Sequence, residues 1–183
     1  MTDSLKEHWI RIRASLAVAE GQLMMSDPDL SLYREFVQAN ELGLALDELV
    51  RAAAEVRASN EVWTELSRAA MAMHLEPSDV THGPTVQRIR DHLAAAHKWR
   101  GLRRLLNEWD PIGVFPHLGG PDDEYDCLYG PLMDHLHAGA PAQQIAAYLR
   151  SELTDHFGID PTHANVEQFA ERLSSWFASG APA

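Results

Sequence analysis

Cysteine is almost missing: Cys127 is the only one in 183 residues. A single thiol rules out an internal disulfide and any zinc site built from several cysteines. Long apolar runs are missing as well, since none approaches the roughly 20 residues that cross a bilayer. Met1-Thr2-Asp3-Ser4-Leu5-Lys6-Glu7 has neither the basic nor the apolar region of a secretory leader, so a cytoplasmic, non-membrane location is expected. No segment alternates with period two, so no strand is expected. Positive charge is scarce, with 15 Lys and Arg against 27 Asp and Glu, a formal charge of −12 shared about evenly between the halves. A nucleic-acid partner is therefore not expected, because phosphate neutralisation draws on basic surface. The one basic run, Lys98, Arg100, Arg103 and Arg104 beside Trp99, reads as a solvated helix face. An acidic surface does suit a basic protein, whose approach it steers.

The usual signs of catalysis are also lacking. There is no Gly-x-Ser-x-Gly elbow, no Gly-x-x-x-x-Gly-Lys phosphate loop and no His-Glu-x-x-His. Histidine is plentiful, at ten, but its spacing is poor: His135 and His137 point to different sides of a helix, and His92 and His97 share no face. Glu152 and His156 do share one at i, i+4, and His117 or His163 are possible additions from a distance. Zinc needs three or four converging ligands, so neither a metal nor another cofactor is expected. Asp110 and the carboxylates of residues 122–126 flank an apolar, Pro-bounded loop. They read either as a paired acid/base site or docking lip, or as braces and helix-start carboxylates; the second reading accounts for them with less.

What the sequence does have is helical periodicity. Trp9, Ile12, Leu16, Ala19 and Leu23 mark a first helix. Asp27-Pro28 is expected to open a short second one carrying Tyr33, Phe36 and Val37. Asn40 is expected to cap a third through Leu42, Leu46, Leu49, Val50 and Ala53, and Ser59-Asn60 a fourth through Val62, Trp63, Leu66, Ala70 and Met73. Prolines and a glycine in residues 75–84 suggest a boundary. Val86, Ile89, Leu93, Trp99, Leu102, Leu105, Leu106 and Trp109 then predict one long helix over about 85–108, or two bent near Gly101. The loop 110–121 is expected to pack on the core through Ile112, Val114, Phe115 and Leu118. A helix starting with Asp122, Asp123 and Glu124, kinked at Pro131, precedes two more that carry Ile145 to Phe157 and Val166 to Phe177. The fold class is all-α: two small helical bundles packed together, with about eight or nine helices. The units are a four-helix unit over 1–76, a linker over 77–84, a helical domain over 85–178 and a tail over 179–183.

Two stretches carry a likeness. Phe36-Val37-Gln38-Ala39-Asn40-Glu41-Leu42-Gly43-Leu44-Ala45-Leu46-Asp47-Glu48-Leu49 resembles the MafI-type immunity proteins of bacteria, small helical antidotes to secreted toxins. Their pattern is an aromatic residue, then Asn-Glu, Gly-Leu-Ala-Leu, an acid and Leu; Asp47 stands where Glu is usual, which keeps the charge. The likeness covers roughly residues 15–75. Leu106-Asn107-Glu108-Trp109-Asp110-Pro111-Ile112-Gly113-Val114, followed by Asp123-Glu124-Tyr125-Asp126, resembles a small uncharacterised bacterial helical family defined by Trp-Asp-Pro-Ile-Gly and Glu-Tyr-Asp, over roughly residues 97–178. The first resemblance implies a non-enzymatic immunity protein that binds and neutralises a cognate toxin, for example a basic nuclease, as a monomer or homodimer. Charge then picks out Glu41, Asp47, Glu48 and Glu55 in the first half, and Asp122, Asp123 and Asp126 in the second, with Tyr129 as an exposed aromatic anchor. The rival readings are a metal-dependent hydrolase built on Glu152 and His156 and a self-associating helical adaptor.

Overall fold

The helical spacing of the apolar residues is realised, in a computed structural model, as eight α-helices among the described residues. They are α1 (Asp3–Leu23), α2 (Ser31–Gln38), α3 (Leu42–Glu55), α4 (Asn60–Ala72), α5 (Gly83–Trp109), α6 (Tyr129–His137), α7 (Ala142–Ser151) and α8 (Val166–Ser179). The structure describes residues 3–180, with side chains from Glu7 onward; of the expected tail, residues 181–183 lie outside it and Ser179 is the last residue of α8. Helix accounts for 74% of the chain, and the described residues contain no strand.

Contacts divide the chain into two compact units, one ending at Ala96 and the other starting at His97. The division thus falls inside α5, and the Pro- and Gly-marked segment expected as a linker belongs to the first unit. Its punctuation makes a fold-back turn instead: the Asp79 carboxylate accepts from the Glu76 amide at 2.6 Å, and Gly83 N–H donates to Asp79 O at 3.0 Å. The period of 3.6 residues runs on through α5. Its first part gives Val86 and Ile89 to one core, and its last part gives Leu102, Leu105 and Leu106 to the other.

In the first unit α1 lies along α4, α3 packs on both, and α2 packs on α3. Ile12, Leu16 and Leu23 meet Leu46, Leu49, Trp63 and Leu66, all at most 2% exposed. Each such aliphatic side chain contributes about 1.5–3 kcal/mol on leaving water. The second unit is built around α7 on α8, with Leu128, Leu132, Ile145, Leu149, Phe169 and Leu173 inside.

Helix ends account for most departures from expectation. Asp27 does not cap α2: it is left-handed, at φ 51°, and α2 opens at Ser31, whose N–H and hydroxyl both donate to Asp29 Oδ1. Nor does Asn40 cap α3. It sits at φ 63° just past α2, whose carbonyls of Phe36 and Val37 accept from the amides of Glu41 and Asn40 at 2.8 and 3.2 Å. This is the paired-bond stop in which a left-handed residue follows the helix. Arg57 and His74 end α3 and α4 in the same way, at φ 52° and 57°. A left-handed conformation costs an L-residue with a Cβ about 1–2 kcal/mol, part of which glycine gives back in unfolded-chain entropy. Arg57→Gly should therefore raise the unfolding free energy by about 0.5 kcal/mol, measured by urea titration.

The helix expected from Asp122 begins later, at Tyr129, after a single 3₁₀ turn over Asp126–Leu128. Pro131 then falls in the first turn of α6, where a missing N–H breaks no bond and no kink is called for. α7 passes into a π-helical turn over Glu152–His156, closed by Phe157 N–H donating to Glu152 O, and Gly158 follows in the left-handed region.

Candidate functional site

The turn between α2 and α3 sets Asn40 and Glu41 at the surface and sends Leu42 into the core. Residues 40–44 thereby form one wall of an open groove of ≈ 510 Å³ in the first unit. Trp9 and Ile12 of α1 and Met73 beyond α4 form the apolar part of its lining, and His8 and His82 complete it. Asn40 is fixed: its Oδ1 accepts from Arg13 Nη2 at 2.9 Å. Glu41 is exposed, and its carboxylate has no partner among the described residues.

His82 reaches the groove from the fold-back turn before α5. Its Nδ1 lies 2.9 Å from Asp47 Oδ2, while Thr85 donates its hydroxyl to Asp47 Oδ1 at 2.5 Å. An ionised carboxylate only accepts, so the ring proton sits on Nδ1 and Nε2 is left as an acceptor in the neutral ring. Gly43 makes this placement possible, because a Cβ there would lie 2.6 Å from His82 Nε2. The glycine of the Asn-Glu-Leu-Gly-Leu run is thus a seat for an imidazole, placed in the first turn of α3.

In the second unit the Trp-Asp-Pro-Ile-Gly and Glu-Tyr-Asp segments close on one another. Asp110, left-handed at φ 41°, ends α5 and turns its carboxylate back on the loop. Oδ1 accepts from the Val114 amide at 2.9 Å and from the Tyr125 hydroxyl at 2.6 Å, and Oδ2 accepts from the Phe115 amide at 2.9 Å. Trp109 donates its indole N–H to Ala164 O at 2.6 Å and stacks on Phe169 with ring centroids 4.2 Å apart. The loop is so tight that a Cβ on Gly120 would sit 1.8 Å from Val114 O. Ile112 and Val114 pack on the core as expected, whereas Phe115 and Leu118 face solvent at 53% and 76% exposure. The motif is therefore a brace, with Asp110 as its centre.

Desolvation raises the Asp110 carboxyl, but its hydrogen bonds from Tyr125, Phe115 and Val114 outweigh that and hold it below the ordinary carboxylate range. Burial, and then the bond to Asp110, push the Tyr125 phenol well above its usual value. A depressed carboxyl adds stability that is whole above its unfolded pKa, about 3.9, and is lost as pH falls through the lower folded value. The stability gap between the wild type and Asp110→Asn should hold from pH 7 to 5 and narrow below pH 4, as measured by urea unfolding.

The other acids singled out by charge lie mostly in ion pairs. Glu48 and Glu55 share a face of α3, but Arg51 stands between them, with Nε 2.9 Å from Glu48 and Nη1 2.8 Å from Glu55. Asp126 takes both Nε and Nη2 of Arg103, at 3.0 and 2.9 Å, and Asp122 lies 3.7 Å from the same guanidinium. Asp123 is exposed beside them. Arg103 also lies 4.6 Å over the Trp99 ring, so the basic run is partly spent inside the unit. Tyr129 is half-buried against Trp99, at 6.0 Å between centroids, and is not the exposed anchor expected. A second groove, of ≈ 720 Å³, runs past Trp99, Arg100, Arg104 and His117.

No three His, Cys, Asp or Glu side chains among the described residues stand close enough to hold a metal ion, so Glu152 and His156 find no third ligand there. Of the groove residues, Glu41 carries the charge that marks it in the sequence, as does Asp47, which holds His82 from outside the lining. Trp9 and Met73 read there as core positions, and His82 stands in a segment that reads as a linker, so only the fold brings them to Glu41. Comparison of the chain with protein-family models, curated proteins and solved structures gives no match.

Proposed function

We propose that the protein is an immunity protein, which binds and neutralises a basic bacterial toxin through the groove and acidic rim of its first unit. The observation that carries this reading is the position of residues 40–44. The stretch that resembles the MafI-type pattern lines an open groove, with an unpartnered carboxylate at its edge. A formal charge of −12 adds long-range attraction for a cationic partner. Pockets that combine apolar walls with a few fixed polar groups are the usual form of a recognition site.

The test is capture followed by rescue. The tagged protein is used at low salt to capture partners from the lysate of its own organism, and each stoichiometric basic protein is then expressed alone in a host. The reading predicts a protein that arrests growth alone and is silenced when this chain is co-expressed. A captured protein that is harmless alone, or whose toxicity this chain does not relieve, counts against it. Charge reversal at Glu48 and Glu55 should slow association with that partner and flatten its salt dependence. The effect should be smaller than that of Glu41→Lys, because Arg51 already offsets part of the Glu48 and Glu55 charge.

A further inference from the structure

We infer that the groove of the first unit receives an arginine side chain of the partner. The inference rests on the reading of the protein as a binder of a basic toxin and names what that site recognises.

The donor and acceptor chemistry of the groove selects that group. Glu41 offers a carboxylate with no internal partner. His82 brings an imidazole whose Nε2 makes no hydrogen bond among the described residues, with the ring oriented by Asp47 2.9 Å from Nδ1; in the neutral ring that Nε2 accepts. Asn40 presents an amide oxygen already oriented by Arg13. Acceptors at a rim call for a donor-rich, positively charged group. The apolar walls are Trp9 and Met73, which suit the aliphatic stem and flat head of a guanidinium. Arginine carries five N–H donors in a planar fork, pairs in bidentate fashion with carboxylates and stacks on aromatic faces; lysine supplies a compact ammonium and no plane. In this arrangement Glu41 is the charge partner, Trp9 the stacking face and Asp47 a positioning residue that acts through His82.

The test uses no toxin, so it can fail while the immunity reading stands, and the growth assay can fail while this one succeeds. Blocked tripeptides Gly-Arg-Gly, Gly-Lys-Gly and Gly-citrulline-Gly are titrated into the full-length ¹⁵N-labelled chain and followed by the Trp9 indole and Gly43 amide signals. Citrulline keeps the shape of arginine and removes its charge. The expected result is saturable shifts of both signals with the arginine peptide, at least tenfold weaker binding of citrulline, and weaker binding of lysine than of arginine. Glu41→Gln, at an exposed position between helices, should weaken the arginine peptide about tenfold while leaving the spectrum of the free protein in place. Equal binding of the arginine and citrulline peptides would overturn the proposal in favour of an apolar occupant. Lysine binding as tightly as arginine would remove the stacking argument, and shifts confined to signals of residues 97–180 would place the site elsewhere.

Discussion

Asp110→Ala should lower the unfolding free energy by about 3 kcal/mol, more than any other single carboxylate removal in the protein. The carboxylate takes the amides of Val114 and Phe115 and the hydroxyl of Tyr125. A hydrogen bond to a charged group is worth about 1.5–3 kcal/mol, and a buried donor left without its acceptor costs about 1–3 kcal/mol more. Tyr125 is 1% exposed, so its hydroxyl has no ready access to water in place of Asp110. Residual solvation of the loop amides keeps the total below the sum of three such bonds. Domains of this size are stable by about 5–15 kcal/mol, so the loss is a large share of the whole. Tyr125→Phe removes the hydroxyl together with its need for an acceptor and should cost only about 1 kcal/mol. Urea unfolding followed by tryptophan fluorescence reads both. A loss below 1 kcal/mol for Asp110→Ala would show that the loop holds its shape without the brace.

Gly43→Ala should separate function from stability. In a helix interior the change from glycine to alanine adds roughly 0.5–1 kcal/mol of intrinsic stability, and at Gly43, in the first turn of α3, at most about that much. Here the new methyl would lie 2.6 Å from His82 Nε2, so the ring must leave its seat, and with it the bond to Asp47. Losing that bond removes about as much stability as the helix gains. The expected result is an unfolding free energy within about 1 kcal/mol of the wild type, together with affinity for the proposed toxin partner at least 30-fold lower, about 2 kcal/mol. The stability comes from thermal and urea unfolding and the affinity from calorimetry. A variant that binds as tightly as the wild type would show that the placement of His82 is irrelevant to the partner.

The core was the most legible part of the molecule. Ile12, Leu16, Leu46, Leu66, Leu132, Leu149 and Leu173 recur at helical spacing and are all buried, because one apolar stripe per helix has one place to go. Helix ends were harder. Asn40 looks like a cap in sequence, since Asn serves both before a helix and after one; only the left-handed stop of α2 decides between the two. The segment around Pro77 and Gly83 looks like a linker, because composition registers the breaks and cannot register the fold-back bonds among Glu76, Asp79 and Gly83. Acidic residues are visible in the sequence, but their pairing is not. Arg51 and Arg103 claim Glu48, Glu55 and Asp126 through geometry that charge counting does not contain. Glu41 is an acid that the fold leaves unpaired at a groove, and His82 joins it from 41 residues along the chain.

The most direct test is an amide hydrogen-exchange footprint of the chain, free and saturated with the toxin recovered by capture and rescue. The account predicts protection of backbone amides in peptides covering residues 8–13, 40–46 and 79–85, with the loop 110–120 unchanged. Protection confined to residues 97–180, or none at residues 40–46, would contradict the assignment of the groove as the toxin-binding site.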